Sequence, residues 1–216
     1  MKFSFVIPAY NNWALLHALL FDIYKNCSTP HEVIVMNNNS TEESFQLGIE
    51  WWENTGLLPI NHVVNKENVG FLLNSNVGLK IATGDVICLV STDVRIHRDI
   101  VGHWIGQNSL TGGRLLDWDT GWNTFKGKIY PYLEGWILTT IKDNWKDLGY
   151  FDEQYAPNDM EDVDISTKAL STGRISLEVY PEGFVSHIGA QTIGFSDARE
   201  AITIKNKEKF KKKWVK

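Results

Sequence analysis

Cysteine is scarce in this chain. Cys27 and Cys88 are the only two among 216 residues, which excludes a disulfide framework and fits reduced thiols. Long apolar runs are missing too. No stretch approaches the roughly 18 residues needed to cross a bilayer, and the opening MKFSFVIPAY turns polar too soon for a signal peptide, so a cytoplasmic address is expected. The chain shows no internal repeat and no low-complexity linker, so any second region is expected as a smaller subdomain packed on the same sheet. Positive charge is in deficit, with 21 Lys and Arg against 26 Asp and Glu. The last twelve residues, KNKEKFKKKWVK, hold seven Lys against one Glu, so the other 204 carry −11 of a total of −5. That balance argues against a nucleic-acid groove in the body of the protein. The basic end, with Phe210 and Trp214 four apart, reads in two ways. It is a solvated helix end with one aromatic stripe on the core, or a segment lying on an anionic membrane face or acidic partner.

Hydrophobic residues at 43% and charged residues at 22% are ordinary for a compact globular chain. Its 24.6 kDa lies near the upper end for one α/β domain. Strand-like and helix-period segments alternate through the first half, the pattern of βαβ units and a mostly parallel sheet. Residues 3–7 (FSFVI) read as a strand ending at Pro8, followed by a helix with the stripe Trp13, Leu16, Leu20, Ile23. A second strand, Val33 to Met36, breaks into NNNST, where Ser40 or Thr41 can cap a helix carrying Phe45, Ile49 and Trp52. Val63 and Val64 suggest a short third strand, then a helix from Leu72 to Ala82 closed by Gly84, and a fourth strand Val86 to Val90. Gly112, Gly113, Gly121 and Gly127 mark loops or turns in a second half that looks α+β, where LEGWILTTI (133–141) fits strand or helix.

Four features carry candidate chemistry. Asp93 follows an apolar strand, and open α/β sheets bind ligands at the carboxyl ends of their strands, so this acid is a candidate metal ligand. Asn37, at the end of the second strand, fits a base or ribose contact as well as a turn. In NVGFLLNSNVG (68–78), Gly70 and Gly78 admit a phosphate or a close helix–sheet contact, with packing the better default for Gly78. In DMEDVD, Asp159, Glu161, Asp162 and Asp164 place four carboxylates in six residues before a helical pattern of Val163, Ala169 and Leu170. The helix macrodipole explains one or two of them. At 100° per residue, at least one should face a crevice and serve as a general base. His187 follows ISLEVYPEGFV and is a structural residue or a ligand.

Taken in order, FVIPAYNN, VIVMNNNST, NVGFLLNSNVGLKIATGDVICLVSTD, LGYFDEQYAPNDMEDVDISTKALSTG and PEGFVSHIG resemble the family 2 glycosyltransferases, an inverting group with the nucleotide-sugar-binding GT-A fold. The similarity runs through nearly the whole chain. It implies a single domain over 1–216, with a nucleotide-binding half at 1–95, an acceptor and catalytic half at 96–204, and a basic helix or tail at 205–216. It further implies that Pro8, Tyr10, Asn37, Asn68, Gly70, Asn76 and Asp93 hold the nucleotide sugar. Asp93 and His187 would be the metal contacts and Asp162 the catalytic base, with Glu161 in reserve. The sequence departs from the family twice. Asn37 stands where an acid is usual, and Ser91 takes the first place of a motif that is commonly Asp-x-Asp or Asn-x-Asp.

The activity so implied suits these residue types. A sugar leaving a nucleoside diphosphate builds negative charge that a divalent cation, Mn²⁺ or Mg²⁺, offsets, and a carboxylate takes the proton of the attacking acceptor hydroxyl. The expected donor is a nucleotide sugar, UDP-linked by default, and the acceptor a saccharide, a lipid-linked sugar or a protein. Of the nine Trp, one of Trp118, Trp122 and Trp136 is expected on a sugar face, and Trp13, Trp52 and Trp104 in the core. A nucleotidyltransferase, and a nucleotide-sugar-binding module without turnover, are the competing readings.

Overall fold

The computed structural model describes residues 1–29, 31–104, 106–119, 128–189 and 196–215. Strand β1 (Phe3–Ala9) is buried along its whole length, as an unbroken apolar run requires when both sheet faces are covered. It pairs in parallel with β2 (His31–Asn37), which pairs in parallel with β3 (Ile60–Val64). On its other side β1 pairs in parallel with β4 (Val86–Val90). The crossovers are helices α1 (Trp13–Asn26), α2 (Glu43–Thr55) and α3 (Phe71–Ile81). Leu16, Leu20, Phe45, Ile49 and Trp52 pack with Phe5, Ile7, Val33 and Val35 on one face. On the other face, Leu72 and Leu79 of α3 meet Val6, Ile34 and Met36. The winding therefore reverses between β2 and β4 across β1, and a ligand crevice opens at the carboxyl ends of those strands.

After β4 come β5 (Val94–Ile96), α4 (Ile100–His103), β6 (Ser109–Gly112), β7 (Leu115–Asp119), β8 (Ile129–Leu133), β9 (Ile137–Ile141) and α5 (Lys142–Asp147). The chain continues through α6 (Glu161–Ser171), β10 (Ser176–Val179), β11 (Val185–His187) and α7 (Asp197–Trp214). The main sheet runs β10-β6-β9-β4-β1-β2-β3, with β7–β8 and β5–β11 as separate antiparallel pairs. The ambiguous LEGWILTTI segment is strand from Ile137 onward, because β9 pairs antiparallel with every residue of β4.

Local details differ from the sequence reading at identifiable points. Neither Ser40 nor Thr41 caps α2; its N-cap is Glu42, while the Ser40 hydroxyl accepts the Asn11 N–H at 2.8 Å. Helix α3 ends before Gly84, whose role is close approach: a Cβ there would sit 2.9 Å from the Lys2 carbonyl oxygen. Leu170 is exposed on α6, where Val163, Ile165 and Ala169 carry the packing. Trp52 and Trp104 are buried, but Trp13 is half-buried at the α1–α2 surface. The basic end is a helix with its aromatic stripe on the core. Phe210 is buried edge-on to both Trp118 and Tyr130, each at 5.0 Å. Among the described residues no helix is long and apolar enough to cross a membrane.

Candidate active site

A cleft of about 730 Å³ opens at the carboxyl end of the sheet, lined by residues from both halves of the chain. At one end Pro8, Tyr10, Asn68 and Gly70 all line the wall, as does Asn38. Asn38 anchors a belt of amides. Its Nδ2 donates to Asn68 Oδ1 (2.7 Å) and to the Gly70 carbonyl (3.3 Å), and its Oδ1 accepts from the Val69 N–H (2.9 Å) and Asn65 Nδ2 (3.0 Å). Asn65 also donates to Asn74 Oδ1 at 2.8 Å, and Asn74 donates to the Met36 carbonyl at 2.7 Å. Gly70 adopts φ +83°, a conformation open to glycine, and a Cβ there would meet Pro157 at 2.6 Å.

Two residues expected at this end are elsewhere. Asn37 is fully buried, accepts the Ser40 N–H (2.7 Å) and lies 3.1 Å from His62 Nε2. Burial holds that imidazole below its usual pKa against the pull of Glu53, and the neutral ring accepts the Asn37 amide proton. Side chains alternate along a strand. Asn37 shares the face of Val33 and Val35, packed under α1 and α2, whereas Asn38 continues the row of Ile34 and Met36. Asn76 does not line the cleft either. Its Nδ2 donates to the Phe151 carbonyl (2.9 Å) and its Oδ1 accepts the Phe151 N–H (3.1 Å), tying α3 to the loop before α6.

In the middle of the cleft, Asp93 sits in the turn between β4 and β5, 4% exposed. Its Oδ2 is 3.3 Å from His187 Nε2, because β11 pairs with β5 in a register that sets His187 opposite Val94. The His187 ring stacks on Trp136 with centroids 4.9 Å apart and planes 14° from parallel. Trp136 is fixed in turn: its carbonyl accepts the Ser91 N–H at 2.9 Å and its indole donates to Glu134 at 3.1 Å. Ser91 lines the same wall. One carboxylate oxygen and one imidazole nitrogen about an octahedral edge apart form a donor set suited to Mn²⁺ or Mg²⁺. Among the described residues, no cluster of three or more His, Cys, Asp and Glu side chains could hold a metal ion, so substrate oxygens and water would have to complete the shell.

The acids of DMEDVD part company at the start of α6. Asp162 faces the cleft, its carboxylate accepting the Val163 N–H (2.8 Å) and the Gly135 N–H (3.2 Å). Gly135 permits that approach, since a Cβ there would lie 3.2 Å from Asp162 Cβ. Burial, reinforced by the Asp159 charge, pushes the Asp162 carboxyl up to about 6 against those two hydrogen bonds. Glu161 also lines the cleft, 7% exposed, and its Oε2 meets no partner among the described residues. Burial first, then the charge of Asp162, holds it well above the usual carboxylate range. Asp164 turns inward to Lys213 (2.8 Å) and the Trp214 indole (2.7 Å). Asp159 turns to α7, where Arg199 and Thr203 bind it.

Sequence reasoning missed several lining residues: Tyr132, Glu134, and Arg199, Thr203 and Lys207 of α7. The last three recur every four residues, a helical stripe that was readable. Trp118 and Trp136 line the cleft, while Trp122 lies outside the described residues.

This fold is the GT-A fold of nucleotide-sugar transferases. A mannosyltransferase from Pyrobaculum calidifontis, solved with GDP-Man and Mn²⁺, superposes with TM-score 0.63 and 18% identity over 84% of this chain and 58% of that one. GalNAc-T7, solved with UDP, GalNAc and Mn²⁺, gives 0.71 and 14% identity over 99% of this chain and 49% of that one. The family model of glycosyl transferase family 2 matches residues 4–105. The uncharacterized glycosyltransferase YfnE of Bacillus subtilis is 31% identical over 112 residues, 49% of this chain and 26% of YfnE. The aligned part thus spans about a quarter of that relative's length.

Proposed function

We propose that the protein transfers a sugar from a nucleoside diphosphate sugar to an acceptor hydroxyl, with inversion at the anomeric carbon. The observation that carries this reading is the sharing of one cleft by the Asp93–His187 pair and by Asp162 at the start of α6. Pro8, Tyr10, Asn38, Asn68 and Gly70 bind the nucleoside and set the diphosphate toward Asp93. Asp93 and His187 would hold a divalent cation, whose chemistry there would be to offset the charge growing on the leaving diphosphate. Asp162 takes the acceptor proton as the hydroxyl attacks. Its carboxyl at about 6 is ionised at neutral pH yet basic enough for the task. One displacement with base and leaving group on opposite sides of the sugar inverts the centre.

GDP-Man in one structural neighbour, UDP and GalNAc in the other, and Mn²⁺ in both support the donor class and the cation. The neutral, aromatic wall of Trp118, Tyr132 and Trp136 supports a saccharide acceptor. Exposed Lys205 and Lys212 on the outer side of α7 support a peripheral contact with an anionic membrane beside a lipid-linked acceptor.

The test is nucleotide release from a panel of UDP- and GDP-sugars with Mn²⁺. Asp162→Asn should lower turnover about 10²- to 10⁴-fold while nucleotide still binds, and Asp93→Asn should abolish the response to Mn²⁺. Turnover unchanged in both variants would defeat the assignment. Nucleotide binding with no sugar released from any donor would instead point to a binding module.

A further inference from the structure

The segment that delivers the acids is not self-supporting. Asp159 and Met160, immediately before α6, adopt left-handed φ of 70° and 78° without being glycine, a conformation that persists only where its surroundings hold it. What holds it is α7. Arg199 donates through Nη2 (2.8 Å) and Nε (3.2 Å) to the two Asp159 oxygens, and the Thr203 hydroxyl donates to the same carboxylate at 2.7 Å. One turn on, buried Asn206 donates to the carbonyls of Tyr155 (2.7 Å), Asn158 (2.8 Å) and Asp159 (3.1 Å). Arg199 and Thr203 line the cleft themselves.

We propose that Arg199 is a positioning residue for the catalytic segment: by pairing with Asp159 it locks the turn before α6 and offsets part of the negative charge that turn sets beside Asp162. The inference rests on Asp162 as the base. Among the described residues, the charged and titratable groups around Asp162 are these. Asp159 and Glu161 stand on its own segment, Tyr132 and Glu134 on and after β8, and Arg199 on α7. Lys207 of α7, with Asp93 and His187, lines other parts of the cleft. Of the charges beside Asp162, that of Asp159 raises its proton affinity, and Arg199 is drawn first to Asp159, then to Glu161 and more weakly to Asp162. Removing the guanidinium both withdraws that attraction and leaves Asp159 uncompensated, so both effects push Asp162 toward its protonated form.

The experiment is a carboxyl ¹³C NMR titration of Asp-labelled protein, with Asp162 assigned through Asp162→Asn. The wild-type midpoint is expected at about 6. In Arg199→Gln it should rise by about half a pH unit or more, in Arg199→Lys it should stay near wild type, and in the double variant Asp159→Asn/Arg199→Gln it should return to the wild-type value or below. A midpoint in Arg199→Gln that overlays the wild type would overturn the proposal. Should Arg199→Gln fail to fold, Asp159→Asn alone decides, since its midpoint should fall and an unmoved one refutes the idea. The titration needs no turnover. Full transfer by Asp162→Asn would sink the proposed function while leaving this electrostatic result standing.

Discussion

At the level of single residues, the acids of the site were legible by motif and order, and the amides only in part: Asn68 was placed in the cleft, and Asn38 was missed. Asp93 could be placed because an acid closing an apolar strand has few places to go in a parallel sheet. Asn37 and Asn38 are chemically identical neighbours, and only the alternation of side chains along β2 separates the one buried beside His62 from the one in the cleft. That rule was available from Val33, Ile34, Val35 and Met36, whose faces differ in just this way. The different surroundings of Glu161 and Asp162 were beyond the sequence, because they depend on a glycine N–H reaching Asp162 from a distant loop. One prediction belongs at this scale. The folded Asp162 carboxyl is raised to about 6 and must be ionised to act as a base, so kcat should climb as pH rises from 5 to 7 and level off above. A profile flat across that range would remove Asp162 from the role.

At the level of elements, the first half of the chain was readable almost strand by strand, since β1, β2 and β4 are continuous apolar runs separated by amphipathic helices. The boundaries were less so. Caps are set by contacts distant in sequence, as when Ser40 turns to Asn11 and leaves α2 to begin without a side-chain cap. Helix α3 gives the sharpest contrast between expected and observed duty. Asn76 looked like a ligand contact and is instead a two-way clasp on the Phe151 backbone. Asn76→Ala should therefore leave both Phe151 groups unsatisfied and cost about 2 to 4 kcal/mol of stability in urea unfolding. Nucleotide affinity should stay unchanged by calorimetry. A loss of affinity without a loss of stability would return Asn76 to the binding site.

At the level of the whole molecule, the sheet joins the halves, because β9 from the second half pairs along the full length of β4. The second half was opaque in sequence because its strands are short and its order in the sheet follows no sequential pattern. Helix α7 was read as a solvated end with an aromatic stripe on the core or as a segment facing an anionic surface, and its load is structural: Asn206 and Phe210 are buried, and Lys213 and Trp214 meet Asp164, which is 0% exposed. Deleting residues 205–216 should leave that carboxylate short of partners, at about 3 to 5 kcal/mol, and strip Phe210 from the core at about 3 to 5 kcal/mol more. The sum is comparable to a domain's entire stability. The truncated chain should then lose its cooperative melt by circular dichroism; a transition matching the full chain would show that α7 is dispensable.

The face-to-face stack of Trp136 on His187 also equips the molecule with an optical probe of its own. An indole lying flat against that imidazole emits according to whether the ring beneath is bare, protonated or coordinated. Were Asp93 and His187 to take up a cation, its arrival should register as a change in intrinsic fluorescence, without label or coupled assay, and Trp136→Phe supplies the blank.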